Sequence, residues 1–381
     1  MINTTQLKVR FRYILFALLI TILLFTCLEG FCSFIFSFFQ IQRSRIIAEK
    51  IHTEYDPLLG WINKPDLYIK DMYGPDKYFE TNSQRFRNSR NFDRDIPEGK
   101  SRWICSGDSF TLGYGVDNDN TWAALLSSII PDIETINMGQ GGYGIDQSYL
   151  WFMRDGIKLR YDLLIFAFIS ADLTRAISPT FRDYSKPLLS VRDGRIIKNN
   201  IPVPRPSFIA QHLPKFESAI NSLRVITLAH ALLNMLKKSA HDPGSKKKEP
   251  VNRVKKLTSA IFKSLYEYNK QNNRRVLFVY LPTQLEYKEN MKTRILRSFL
   301  SSQAEENGWL LLDLFDDFRE LAPGDIPELF LQRNLPGYKA SKGHYTDKGN
   351  QYIAELLIKK IADNPATRGL LLPKFQASKP K

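Results

Sequence analysis

The hydrophobic pattern divides this chain into two regimes. Tyr13 to Leu28 ("YILFALLITILLFTCL") is apolar without a charge and follows Lys8, Arg10 and Arg12. Counted on through "EGFCSFIFSFF", the stretch is long enough to cross roughly 30 Å of hydrocarbon as a helix. Glu29 falls near an end, where a carboxylate can reach the interface, and Phe31, Phe34, Phe36, Phe38 and Phe39 read as an interfacial continuation. The run exceeds the usual apolar region of a cleaved signal and no A-x-A-like site follows, so an uncleaved anchor is expected. Arg43, Arg45 and Lys50 beyond it balance the positives before it. The short tail ahead of a large C-terminal region points to the N-terminus inside and the domain outside.

From Arg102 the pattern alternates. "RWICS" reads as a short apolar strand, "IETINM", "RRVLFVYLP" and "WLLLDLF" as further strands, and "YDLLIFAFIS" as an apolar run with the look of a buried parallel strand. Between them "TWAALLSSII", "DQSYLWFMRDGI", "KENMKTRILRSFLSSQAEENG" and the closing "GNQYIAELLIKKIAD" carry apolar residues at helical spacing. Strands alternating with helices predict an α/β fold, a three-layer α/β/α sandwich around a mostly parallel sheet. The expected organisation is a tail and transmembrane anchor over 1–45, an irregular lead-in over 46–100, the α/β domain over 101–365 with an insertion at about 176–272, and a basic tail over 366–381. Within the insertion, "KPLLSVRDGRIIKNNIPVPRP" is hairpin-like with Asp193-Gly194 as its turn. The apolar helix "ESAINSLRVITLAHALLNMLKK", the polar linker "SAHDPGSKKKEP" and a helix starting near Val251 follow. Insertions of this size shape or cover a site at the end of a sheet.

Composition narrows the class. The 381 residues are 43% hydrophobic, ample for a core and incompatible with a disordered chain. The formal net charge of +15 is spread along the sequence without a basic face interleaved with aromatics or a known module, so no nucleic-acid partner is expected. A solvated basic surface near anionic lipid or acidic glycan accounts for it. Of three cysteines, Cys27 and Cys32 lie in or beside the apolar helix and Cys105 is alone in the remainder, so no disulfide forms within the domain.

The candidate chemistry centres on "WICSGDSFTLGYGV". Ser109 directly follows a predicted strand and precedes Thr111, Gly113 and Gly115, which puts its hydroxyl at the carboxyl end of the sheet, where open α/β sheets hold their ligands. Gly107, Asp108, Ser109, Thr111 and Gly113 resemble the GDSxTxG block of the SGNH (GDSL-like) hydrolase superfamily. "NMGQGGYGIDQ" resembles its second block, with Gly142 at the oxyanion-hole glycine, and "GHYTDKGNQYIAELL" its last, with His344 as the base. "DPLLGWINKP" and "TNSQRFRN" look like the lead-in of membrane-anchored members associated with cell-envelope polysaccharides. The resemblance implies a flavodoxin-like SGNH fold and acyl transfer without a cofactor. Ser109 would be the nucleophile, His344 its base, and the N–H groups of Ser109 and Gly142 the oxyanion donors, with Asp108 and Thr111 in support. A serine hydroxyl needs such a base to become nucleophilic, and the tetrahedral oxyanion needs fixed donors.

Two positions depart from the family pattern. In "FAFISADLTRA" Ala171 stands where the family's asparagine donates to the oxyanion, while Asp172 is kept. An alanine methyl cannot donate, and the uncompensated loss is on the order of 10²–10³ in rate; Ser170 or a residue of the insertion could compensate. Where the acid that orients the histidine belongs, three or two residues before it, the chain has Ser341 and Lys342. A Ser-His dyad with a backbone carbonyl on the second imidazole nitrogen would still be viable. Asp347 is near, but with Thr346 it reads as part of the cap of the last helix.

Other patterns carry less. Gly139, Gly141 and Gly144 satisfy G-x-G-x-x-G, yet Asp162 precedes its strand, so no ribose partner is placed correctly. His52, His212, His230 and His241 show no paired ligand spacing, so no metal is expected, and His230 reads as a satisfied histidine of an apolar helix. The leading expectation is a single-pass inner-membrane serine esterase with its domain facing the periplasm or outside. It would hydrolyse O-acyl, chiefly O-acetyl, esters of an envelope glycan. An O-acetyltransferase sharing the acyl-enzyme, and a degenerate domain that binds glycan or a partner without turnover, are the alternatives.

Overall fold

The computed structural model describes residues 4–43, 49–182, 184–205, 248–286, 291–335, 338 and 341–371. The apolar helix read at 217–238, His212, His230, His241 and the last ten residues lie outside them. The chain divides into two units, one holding Met1–Ile46 and the other joining Ile47–Pro206 to Gly244–Lys381.

In the first unit, helix α1 (Thr4–Arg43) contains the 23-residue segment Val9–Phe31, none of it buried. At about 1.5 Å per residue this is long enough, and apolar enough, to span a bilayer.

The second unit is built on a five-stranded parallel sheet: β1 (Ser101–Gly107), β2 (Ile133–Gly139), β3 (Leu163–Phe168), β4 (Arg275–Tyr280) and β5 (Leu310–Asp313). Their spatial order is β2-β1-β3-β4-β5, with Ile104 of β1 opposite Ile136 of β2 and Leu164 of β3. This is the flavodoxin-like order, whose direction reverses at β1/β3 and opens a crevice at the carboxyl ends there. Strands β2 and β3 are buried along their whole length; cover on both faces explains the unbroken apolar run of β3, while β2 buries Glu134, Thr135 and Asn137 as well.

The segment after β1 forms the short helix α2 (Ser109–Leu112), followed by α3 (Trp122–Ile129), α4 (Ile145–Arg154) and α5 (Ser170–Arg175). Then come α6 (Lys248–Gln271), α7 (Met291–Asn307), α8 (Phe315–Arg319) and α9 (Asp347–Asp363). One core joins β4 to α4, α6 and α7. Val254, Leu257, Ile261 and Leu265 recur on one face of α6, and Phe262 stacks on Phe278 with centroids 4.1 Å apart. The opposite core gathers Trp122 and Leu126 of α3, Phe318 of α8, and Ile353, Leu357 and Ile361 of α9.

The lead-in is integrated with this unit. It forms an antiparallel pair, Thr53–Asp56 with Gly60–Asn63, and a smaller one, Tyr68–Ile69 with Phe79–Glu80. The hairpin Leu188–Arg192/Arg195–Asn199 turns at Asp193 and Gly194, both with positive φ, as a two-residue turn of this twist requires.

Candidate active site

The position of Ser109 is made by the abrupt passage from β1 to α2. Asp108 caps α2 by accepting from the Phe110 N–H (2.9 Å), so Ser109 opens the helix and is itself buried. Gly139 lets β2 approach: a Cβ there would lie 2.0 Å from the Leu112 nitrogen. The glycines of the G-x-G-x-x-G pattern thus serve backbone approach and a turn. Thr111 is buried against Gly107, whose own Cβ would stand 2.2 Å from the Thr111 Oγ1.

His344 comes from the loop before α9, far along the chain, and its Nε2 lies 2.8 Å from the Ser109 Oγ. Its Nδ1 lies 3.0 Å from the Ser341 carbonyl oxygen. A carbonyl only accepts, so Nδ1 carries the hydrogen and Nε2 presents its lone pair to the serine hydroxyl. The imidazole is held between Phe110 and Tyr114, with centroids 4.7 and 4.9 Å away and rings within 29° and 24° of parallel. Desolvation in this slot lowers its pKa to about 4. The Asp108 carboxylate and the Ser341 carbonyl oppose that shift, and Arg175 and Arg182 add to it. The ring is therefore neutral at neutral pH and able to accept a proton at Nε2.

Ser341, where an orienting acid would stand, is fully buried and its Oγ accepts from the Leu335 N–H (2.6 Å). Lys342 is exposed and its N–H donates to Asn334. Asp347 is not turned to the histidine: it opens α9, which Thr346 caps, and pairs with Lys77 at 2.6 Å.

Across the crevice, Gly142 has φ +76° in the turn between β2 and α4, and a Cβ there would stand 2.5 Å from the ring of Phe181. Among the described residues neither the Ser109 nor the Gly142 N–H donates to another protein group, leaving both for an oxyanion. The turn is braced by the lead-in. Trp61 Nε1 donates to the Gly141 carbonyl (2.9 Å), the Tyr143 hydroxyl donates to the Trp61 carbonyl, and Gln147 donates to the Leu59 carbonyl (2.7 Å). Arg87, also from the lead-in, is buried and donates to the carbonyls of Leu112, Gly113 and Val116, holding the loop that carries Tyr114.

Ala171 and Asp172 lie on α5. Asp172 accepts from the Ile169 N–H (3.0 Å), and burial, then the nearby Asp108 charge, raise its pKa well above the usual carboxylate range. Arg175 Nη1 lies 2.6 Å from Asp172, 3.3 Å from Asp108 and 3.0 Å from the Tyr143 carbonyl. Motif reading missed Arg175, Phe110, Tyr114, Arg87 and Trp61. For Arg175 a signal existed, since it follows Ala171 by one helical turn. No cluster of His, Cys, Asp or Glu that could hold a metal occurs among the described residues.

No protein-family model and no curated protein matches this chain. Among solved structures it is similar to a lipolytic-type G-D-S-L family protein from Desulfitobacterium hafniense (17% identity, 68% of this chain and 98% of that one, TM-score 0.36). It is similar also to a member of the lipolytic G-D-S-L family from Veillonella parvula (13%, 69% and 100%, 0.36). A third is an acetylxylan esterase from Geobacillus stearothermophilus (12%, 71% and 98%, 0.39). Likeness at this level carries no argument about activity, which rests on the site.

Proposed function

We propose that this chain is a membrane-anchored serine esterase of the SGNH type, hydrolysing O-acyl esters through an acyl-enzyme on Ser109. The observation that carries the reading is the 2.8 Å approach of His344 Nε2 to the Ser109 Oγ, with the ring's other nitrogen held on the Ser341 carbonyl. A domain relieved of catalysis has no physical need to bring a serine and a neutral histidine together from positions so distant in sequence.

The chemistry follows from the atoms. As the Ser109 oxygen bonds the ester carbonyl carbon, its proton passes to His344 Nε2, and the carbonyl oxygen becomes an oxyanion beside the Ser109 and Gly142 N–H groups. Collapse breaks the bond to the alcohol, which leaves with the proton from Nε2. Water then gives its proton to Nε2, its oxygen bonds the acyl carbon, and the released Ser109 oxygen takes the proton back. His344 is thus restored neutral, and an acid and an alcohol are the products.

The acyl group is assigned as acetyl and the alcohol as a sugar hydroxyl of a cell-envelope glycan. This rests on the resemblance of "DPLLGWINKP" and "TNSQRFRN" to anchored envelope proteins and on the excess of positive charge, suited to an acidic polymer or lipid surface. Helix α1 is read as an uncleaved anchor in a bacterial inner membrane, with the domain on the periplasmic or outer side.

The test is p-nitrophenyl acetate turnover by the full chain in detergent, beside Ser109→Ala, with a fluorophosphonate label read by intact mass. Turnover and labelling that both vanish in Ser109→Ala support the acyl-enzyme. A folded wild type showing neither, like its variant, refutes it. Acetylated glycan with and without a second sugar acceptor then separates hydrolysis from transfer.

A further inference from the structure

We propose that Arg175 supplies the oxyanion donor that Ala171 cannot, a role that rests on the esterase reading above. Ala171 and Arg175 are four residues apart on α5 and therefore share one face of it. Helical side chains lean toward the N-terminus, so a long side chain at 175 reaches back over the space that a short amide at 171 would occupy.

The contacts place the guanidinium more closely. Nη1 bonds Asp108, the residue before the nucleophile, and the carbonyl of Tyr143, the residue after the oxyanion glycine. The guanidinium carbon lies 5.0 Å from the centroid of Phe181, the ring that also covers Gly142. Arg175 is thus fastened to both halves of the oxyanion site.

Its remaining donors are free. Three acceptors, Asp108, Asp172 and the Tyr143 carbonyl, all fall to Nη1, while Nε and Nη2 have no hydrogen-bond partner among the described residues. The side chain keeps 20% of its surface accessible, so these donors are not sealed in the core. Two carboxylates hold the fork in place, and a fixed, charged donor near a developing oxyanion needs no reorganisation during the reaction.

The test uses the full chain in detergent with p-nitrophenyl acetate. Arg175→Ala is expected to lower kcat by about 10² to 10³ with KM little changed, as for loss of one oxyanion donor. Adding Ala171→Asn to that variant is expected to recover part of kcat. Unchanged kcat in a folded Arg175→Ala protein, a loss carried by KM alone, or a loss that Ala171→Asn does not recover overturns the proposal while leaving the esterase reading in place. Removing Arg175 strips two buried carboxylates of their cation, so a second measurement uses the wild type. In a crystal structure of the Ser109 phosphonate adduct, Nε or Nη2 is expected within hydrogen-bond reach of the phosphonyl oxygen. An oxygen out of reach of both overturns the assignment. A wild type that neither turns over nor labels at Ser109 removes the esterase reading and this role with it.

Discussion

His344 Nδ1 and the carbonyl oxygen of Ser341 lie 3.0 Å apart, so the imidazole is oriented by main chain at the residue where an acid would be sought. A carbonyl fixes the tautomer as a carboxylate would, though it brings no full negative charge to the imidazolium formed during the reaction. The slot between Phe110 and Tyr114 supplies the remaining constraint on the ring plane.

Ser341→Asp is accordingly expected to bring none of the gain, on the order of 10⁴, that an orienting acid is worth in other triads. The new carboxylate would occupy the buried place of the Ser341 Oγ, facing the Leu335 N–H, while Nδ1 stays on the carbonyl. Ser341→Ala should keep kcat and lose about 1–3 kcal/mol of stability, since it leaves a buried N–H without its acceptor. Parallel kinetics and urea unfolding check both. A large gain in Ser341→Asp would mean that the carbonyl does not hold the ring in solution.

The pH dependence follows from the sign of the shift. In the proposed mechanism His344 must be neutral to accept the serine proton, and its pKa is lowered to about 4, so kcat/KM should fall only as pH drops through about 4 and stay level through neutrality. Folding is linked the same way. Between its unfolded value of 6.5 and about 4, the unfolded chain binds the proton that the folded chain excludes, so stability is present above 6.5 and is lost as pH falls through that window. Buried His52, lowered to about 3 by desolvation, acts in the same direction. A pH-rate profile and thermal midpoints between pH 3 and 8 test this. A rate limb near 6.5 would show that the aromatic slot does not desolvate the ring.

Arg87→Ala should cost about 3–5 kcal/mol, because several buried acceptors lose their donor at once, each at roughly 1–3 kcal/mol and partly rehydrated. Three carbonyls, of Leu112, Gly113 and Val116, lose their donor together with the Asn118 amide oxygen, and Phe79 loses a guanidinium 4.9 Å from its ring. Denaturant midpoints of the variant read the loss. A loss below about 1 kcal/mol would mean that the freed carbonyls are fully rehydrated.

Gly142→Ala should lower kcat by on the order of 10², because the N–H proposed as an oxyanion donor is displaced. A Cβ would stand 2.5 Å from the Phe181 ring, and the backbone at φ +76° disfavours any side chain. Adding Phe181→Ala relieves the contact and not the backbone strain, so recovery should be partial. Kinetics of the single and double variants decide it, and full recovery would locate the whole effect in the ring contact.

Local periodicity determined the layers of this protein. The apolar run "YDLLIFAFIS", too short and too uniformly hydrophobic for anything but a strand covered on both faces, stands as β3; "IETINM" stands as β2 although Glu134, Thr135 and Asn137 are buried in it, and the α9 pattern packs as its spacing requires. Such signals are legible because they arise from neighbours within a few residues. The GDSxTxG and histidine blocks were read from a family resemblance, and the strand-to-helix turn after β1 is where the first of them lies. What surrounds them came from elsewhere in the chain, and only tertiary structure decided it. Trp61 and Arg87 brace the site from a lead-in that reads as irregular, and Phe110 and Tyr114 close on a ring more than two hundred residues away in sequence. The orienting acceptor is a main-chain carbonyl, which every residue possesses and which therefore leaves no mark in a sequence. Its identity depends on where the loop before α9 folds back, a choice made by long-range packing and not by residue type.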